Sequence, residues 1–263
     1  LGKQGNEEFS MTEQTQSMTP ERVFKLEGVV NLRDLGGYAT ADGHSTRWRQ
    51  LLRGDSLHAL TPASLDALLA TGLHTVIDMR RPDEIELQPD RVVGLSQIDY
   101  QRITILEAAI SSPSATEVQH IQGLEGAYRL MLDDYQDRFK EIFATIAAAP
   151  AGPVLFHCAA GKDRTGIVSV LLLEFAGVPE ATILEDYAMT SVLLAPLLPA
   201  FRERARIMGL NPERHEKMLE CRPEAMATTL AYLRDQYGGA TGYFTKIGLS
   251  PIQIDRIRTR LIE

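Results

Sequence analysis

The chain has 263 residues, 44% of them hydrophobic, a formal net charge of -8 and only two cysteines, Cys158 and Cys221. That length and apolar content suffice for a sizeable core, and two cysteines cannot build a disulfide framework, which fits a reducing, cytoplasmic setting. The acidic balance argues against a nucleic-acid binder, because neutralising phosphates takes a basic face, so any phosphate chemistry has to be local.

Residues 1–20 are expected to form a disordered tail that includes an expression scar, "LGKQGNEEFS" before Met11, and residues 21–263 a single domain. "FKLEGVVNLRDLGGYATADGHSTRWRQLLRGDSL" reads as short strands between turns, with Gly36-Gly37 and Asp42-Gly43 as turn dipeptides. Gly36-Gly37 shapes a turn beneath the site, with Arg33 and Asp34 as structural polar partners. "TPASLDALLATGL" predicts a short helix capped by Thr61, opened by Pro62 and ended by Gly72. The β-branched run "HTVIDMR" is a buried strand that places Asp78 and Arg80 at its carboxyl end. "GLEGAYRLMLDDYQDRFKEIFATIAAA" has helical periodicity and supplies the crossover a parallel sheet requires. "PVLFH" is the next strand, and "GIVSVLLLEFAG", apolar nearly all round, the buried helix after it. Helices then dominate, with breaks near Pro179, Pro196, Pro199, Pro212, Pro223 and Gly238-Gly239. The fold class is therefore α/β, a central, mostly parallel sheet flanked by helices with a helical C-terminal part. The unbroken apolar runs "IVSVLLL" and "VLLAPLLPAF" fall short of the roughly 20 residues that span a bilayer, so no stable membrane insertion is expected.

The chemistry concentrates in "VLFHCAAGKDRTG", Val154 to Gly166. A thiolate is the useful nucleophile, and a helix N-terminus, convergent backbone N–H groups and nearby positive charge all favour it. The turn through Ala159, Ala160, Gly161 and Lys162 into a helix lets its amides converge on an anion, with Gly161 allowing the close approach. Arg164 can meet two phosphate oxygens with its planar fork, and Lys162 adds a second, more mobile charge.

The order H-C-x-x-x-x-x-R-T-G resembles the phosphate-binding loop of the cysteine-dependent protein tyrosine phosphatase superfamily. "NLRDLGGY", "LLRGDSL", "IDMRRPDEI" and "EDYAMTS" occur in the order seen in its bacterial tyrosine/serine phosphatases of dual or triple specificity, whose relatives also accept phosphoinositides. The resemblance runs from about Val29 to the C-terminus. It implies a protein tyrosine phosphatase-like fold and a metal-independent phosphomonoester hydrolase in which Cys158 attacks phosphorus, Arg164 binds the equatorial oxygens and water then releases phosphate. It also implies that His157 holds the loop and favours the thiolate, and that the Thr165 hydroxyl bonds the sulfur. No metal or cofactor is implied, and the partners are phosphorylated proteins or phosphoinositides.

No W-P-D sequence is present to supply the general acid. Asp163 inside the loop is the leading candidate, as in branches of the superfamily where an in-loop Asp is proposed, and Asp78 at a strand's carboxyl end is its rival. Asp133 and Asp134 read as a solvated helix face. Cys221 reads as structural, and histidines 44, 58, 74, 120 and 215 lack metal-ligand spacing. "RGD" at 53–55 is read as a chance match to an adhesion motif. Residues 189–226 are expected to form a helical lid, with Leu193, Leu194, Leu197, Leu198 and Phe201 roofing the pocket. Lys162 with Arg80 or Arg81 would then supply charge for a phosphoinositide headgroup. The alternatives are a pseudophosphatase that binds phosphate without turnover and a thiol redox enzyme, for which Cys221 would have to act as the resolving cysteine.

Overall fold

The computed structural model describes residues 21–106 and 123–263; the expectation for the first 20 residues, and His120, lie outside them. Five short strands form one sheet: β1 (Arg33–Asp34), β2 (Leu51–Gly54), β3 (Thr75–Asp78), β4 (Asp99–Arg102) and β5 (Val154–His157). Their order is β1-β2-β5-β3-β4, with β1 antiparallel to β2 and every other pairing parallel. The expected α/β architecture is therefore present, with β5 at the centre.

Alternation along the strands divides the core in two. Leu51, Ile77, Val154 and Phe156 point into one cluster, whereas Leu52, Val76 and Leu155 point into the other. The smaller cluster is closed by α1 (Pro62–Leu69), which Thr61 caps by accepting from the Ser64 amide. The larger one is built around α5 (Asp163–Phe175), which is buried at almost every position from Arg164 to Phe175. A helix apolar all round needs neighbours on every side. It finds them in α3 (Gly123–Asp134), α6 (Glu180–Leu194) and α10 (Gly239–Lys246), which α9 (Pro223–Tyr237) backs. Truncating a wholly buried residue there, such as Leu172→Ala, costs about 2–5 kcal/mol through lost burial and the cavity left behind.

The single helix expected between β4 and β5 is two, α3 and α4 (Gln136–Ala148), because Tyr135 leaves the helical region with φ -110° and ψ 28°. The predicted proline breaks fall at helix starts, where a missing N–H costs nothing. Pro179 caps the start of α6, Pro212 opens α8 (Pro212–Leu219) and Pro223 opens α9; Pro251, not among the expected breaks, opens α11 (Pro251–Leu261) in the same way. Pro196 and Pro199 do not stop the chain. A 3₁₀ turn at Ala195–Leu197 joins α6 to α7 (Leu198–Ile207), giving 28 helical residues, Glu180–Ile207, long and apolar enough by composition to cross a membrane. Counting only unbroken apolar runs misses this. Ile183, Tyr187 and Leu194 of α6 are buried.

Candidate active site

β5 carries the chain to His157 at the carboxyl end of the sheet, and Cys158 to Lys162 turn from there into the N-terminus of α5. The carbonyl oxygens of that turn are held from outside. The Ser56 amide donates to Ala159 O at 3.2 Å, Asn31 Nδ2 to Ala160 O at 2.8 Å and to Gly161 O at 3.1 Å, and Arg53 Nη2 to Gly161 O at 2.9 Å. Each peptide is planar and trans, so the N–H groups of Ala160, Gly161 and Lys162 point the opposite way, and no described group accepts from them. Donors converging at a helix N-terminus make an anion cradle. Gly161 is required by two constraints at once: its φ is +66°, and a Cβ there would lie 2.5 Å from the Gly54 carbonyl.

Arg164 is fixed before any substrate arrives. Its Nη1 and Nη2 donate end-on to Glu84 of α2 (Pro82–Leu87) at 2.8 and 3.1 Å, and Nη1 donates again to Met79 O at 3.1 Å. A guanidinium has five N–H donors, so Nε–H and one Nη2–H remain on the same edge, the pair that can meet two phosphate oxygens. Burial alone would raise the Glu84 carboxyl, but Arg164 outweighs it and holds the group down at about 2.

Two buried ionic clusters lie under the turn. In one, Asp186 of α6 takes Arg33 Nε at 3.0 Å, the Arg53 guanidinium and the Tyr38 hydroxyl at 2.9 Å. Burial pushes its carboxyl up, yet Arg33 and Arg53 together hold it well below the usual carboxylate range. In the other, Arg80 binds Asp78 and Asp90, the Tyr100 hydroxyl lies between the two carboxylates at 2.5 and 2.8 Å with one proton for them to share, and His157 Nε2 lies 3.1 Å from Asp90 Oδ2. That last contact is an ion pair rather than an aligned hydrogen bond. Burial lowers His157, but Asp90 and Asp78 more than reverse this and raise it to about 9, so the imidazole beside Cys158 is a cation at neutral pH. Asp78, Asp90 and His157 also have the spacing of a metal triad, but Arg80 and Tyr100 already occupy the two carboxylates.

Cys158, Ala159, Ala160, Lys162, Asp163 and Arg164 form one side of a cavity of about 230 Å³. The opposite wall comes from the end of α6, α7 and α8, through Leu194, Phe201, Arg204, Met208, Met218 and Leu219. Of the five residues expected to roof the pocket, Leu194 and Phe201, seven positions apart, line it, and Leu193, Leu197 and Leu198 do not.

Other expectations change. Lys162 is not mobile: its side chain is 3% exposed, and Nζ donates to the main-chain oxygens of Met218 and Glu220 and lies 3.3 Å from Asp163 Oδ1. Arg80 cannot face a headgroup, because its donors end on Asp78, Asp90, Ser56 and Gln88 within the core. Arg81 does line the cavity. Asp78 is fully buried and absent from the cavity lining, because the Arg80 side chain turns it inward. The Thr165 hydroxyl makes no hydrogen bond to the Cys158 sulfur; it is buried with no partner among the described residues, deep in the first turn of α5. Arg53 and Asp55 of the "RGD" stretch are buried, out of reach of an adhesion receptor. The supporting residues Asn31, Ser56, Glu84, Asp90 and Tyr100 are absent from the sequence reading. Four of them are scattered from 31 to 90, and the first three fall within the quoted motifs.

A family model described as "Tyrosine phosphatase family" matches residues 24–263. A tyrosine-protein phosphatase of Nostoc commune is 37% identical over 215 residues, which cover 80% of this chain and 73% of that one. A putative tyrosine-protein phosphatase of Cupriavidus necator is 28% identical, covering 83% of this chain and 81% of its own. The triple specificity protein phosphatase PtpB of Mycobacterium tuberculosis is 27% identical over 91% of this chain and 99% of its own. With a cysteine at the foot of an anion cradle and a family match over nearly all of the described residues, the chain belongs to the tyrosine phosphatase family.

Proposed function

We propose that this phosphatase works without a metal, through a cysteinyl-phosphate intermediate on Cys158. The observation that carries the reading is the convergence on one cavity of the thiol, three outward-held carbonyls that leave their neighbouring N–H groups free, and the open edge of Arg164. The Cys158 sulfur attacks phosphorus in line as the bond to the leaving oxygen breaks. The amides of Ala160, Gly161 and Lys162, with Arg164, hold the three equatorial oxygens, which need no reorganisation as charge shifts. Asp163, which lines the cavity while Asp78 does not, gives the leaving oxygen its proton and recovers one from the water that cleaves the sulfur–phosphorus bond. The His157 cation below supports the loop.

Phosphotyrosine and phosphoserine are the proposed protein substrates. Acceptance of phosphoinositides is supported by the apolar wall of Leu194, Phe201, Met208 and Met218 with Arg81 and Arg204 beside it, and by a relative named for triple specificity. Residues 189–226 act as the lid in this reading, on one domain of 21–263. A working thiol suits a reducing compartment, the cytoplasm.

The test is phosphate release from para-nitrophenyl phosphate in reducing, chelator-containing buffer, with an acid quench to trap label on Cys158. Cys158→Ser should lose about 10³-fold or more in kcat and still bind orthovanadate. Turnover retained by that variant, or label trapped elsewhere, breaks the covalent mechanism. Wild-type protein that binds vanadate but releases no phosphate would instead support the pseudophosphatase reading.

A further inference from the structure

Two tyrosines from different helices converge on one oxygen of Asp163. Tyr128 of α3 and Tyr187 of α6 are fully buried, their rings edge to face at 6.4 Å. The Tyr128 hydroxyl donates to Asp163 Oδ1 at 2.7 Å, and the two hydroxyls are 2.7 Å apart. A phenol has one proton to give. Since Tyr128 gives its own to Asp163, it can only accept from Tyr187, and the chain has a single polarity: Tyr187 to Tyr128 to Oδ1. Lys162 Nζ lies 3.3 Å from the same oxygen. Oδ1 is thus surrounded by donors, whereas Oδ2 accepts from no described residue.

Phenylalanine would fill these positions without the cost of burying two hydroxyls. The hydroxyls therefore point to a role beyond packing. Burial, reinforced by Asp163, raises both phenols well above their ordinary value, so both remain donors at any working pH.

We infer that Tyr128, backed by Tyr187, is a positioning residue for proton transfer, making Oδ2 the oxygen that carries the proton. This rests on Asp163 being the general acid. As the sulfur–phosphorus bond forms and the phosphorus–oxygen bond breaks, the proton passes from Oδ2 to the leaving oxygen. The electron pair left on Asp163 makes a carboxylate, whose charge Tyr128 and Lys162 stabilise at Oδ1. When water attacks the phosphocysteine, Oδ2 takes the proton from it and the thiolate leaves, which restores the starting state.

The experiment compares wild type, Tyr128→Phe, Asp163→Asn and the double variant on para-nitrophenyl phosphate, whose leaving group needs little protonation, and on phenyl phosphate, which needs more. Tyr128→Phe should cost about tenfold in kcat on phenyl phosphate, the scale of one hydrogen bond to a charged group, and much less on the nitro compound. In the Asp163→Asn background the tyrosine loss should vanish. Equal losses on both substrates, or a loss that persists without Asp163, would assign Tyr128 to packing and overturn the proposal. If Asp163→Asn itself shows no split between substrates, the acid assignment falls and takes the proposal with it, a failure distinct from the first two. Should Tyr128→Phe unfold, Tyr187→Phe applies the same test, since it strips only the outer donor; no split there also overturns the inference.

Discussion

The floor of the cavity and its far wall are held by different kinds of interaction. Under Cys158, Arg33 and Arg53 meet Asp186, and Arg80 meets Asp78 and Asp90, with every partner at most 1% exposed. Across the cavity, α7 is joined to α8 by Arg202 and Glu216, 52% and 49% exposed, and Ala205 is the buried residue of α7. Buried, paired charges are costly to separate, whereas exposed pairs contribute little. The turn that carries Cys158 therefore rests on the more tightly bonded side, while the far wall, with its exposed ion pair, is fastened to that turn at one buried point, Lys162 donating to the main-chain oxygens of Met218 and Glu220.

Breaking the floor should have the largest effect. Asp186→Asn leaves two buried guanidiniums facing a neutral amide, and should cost about 3–5 kcal/mol of stability, read as a lower midpoint in denaturant and a matching fall in kcat. A stable, fully active variant would mean the buried cluster does not hold the loop. A pH titration sharpens the same contrast. Because folding raises His157 from 6.5 to about 9, its contribution to stability is fully present below 6.5 and is lost as pH rises through about 9. Thermal midpoints should fall across that window, and His157→Gln should flatten the fall; an equal slope in both proteins would remove His157 as its source. On the wall the effects should be smaller and of another kind. Phe201→Ser should raise KM for a long-chain phosphoinositide about fivefold, worth roughly 1 kcal/mol, with kcat on para-nitrophenyl phosphate unchanged. Arg202→Ala should leave the thermal midpoint where it is, and a clear drop would show that the wall is tied more tightly than its exposed ion pair indicates.

The loop was legible because its chemistry is contiguous: thiol, glycine, acid and arginine fall within seven residues, and the strand and helix on either side have plain apolar patterns. Its supports were not, because Asn31, Ser56, Glu84 and Asp90 come together only when β2, β3 and β5 pair, and spacing along the chain carries no trace of that. Asp78 shows the limit of placing a residue at a strand end. The backbone does reach the carboxyl edge of the sheet, but an arginine two residues on turns the carboxylate into the core. Lys162 fails for a related reason: the carbonyls that fix it belong to residues 218 and 220, more than fifty positions away.

The charge balance of the buried floor bears on how an anion experiences this acidic molecule. Arg80 and the His157 cation are matched by Asp78 and Asp90, and Arg33 and Arg53 by Asp186 together with Asp55, a buried carboxylate that interacts with His157, so the floor is close to neutral and the attraction for an anion comes from the open edge of Arg164 and the N–H groups of the turn. Dissolved ions weaken fields that pass through water and cannot enter a layer without exposed atoms. The outer surface, with the chain's net charge of -8, repels a phosphate dianion at low ionic strength and ceases to do so as salt is added. The open edge of Arg164 and the turn's N–H groups lie within the cavity and are screened much less, so electrolyte weakens the repulsion more than the attraction.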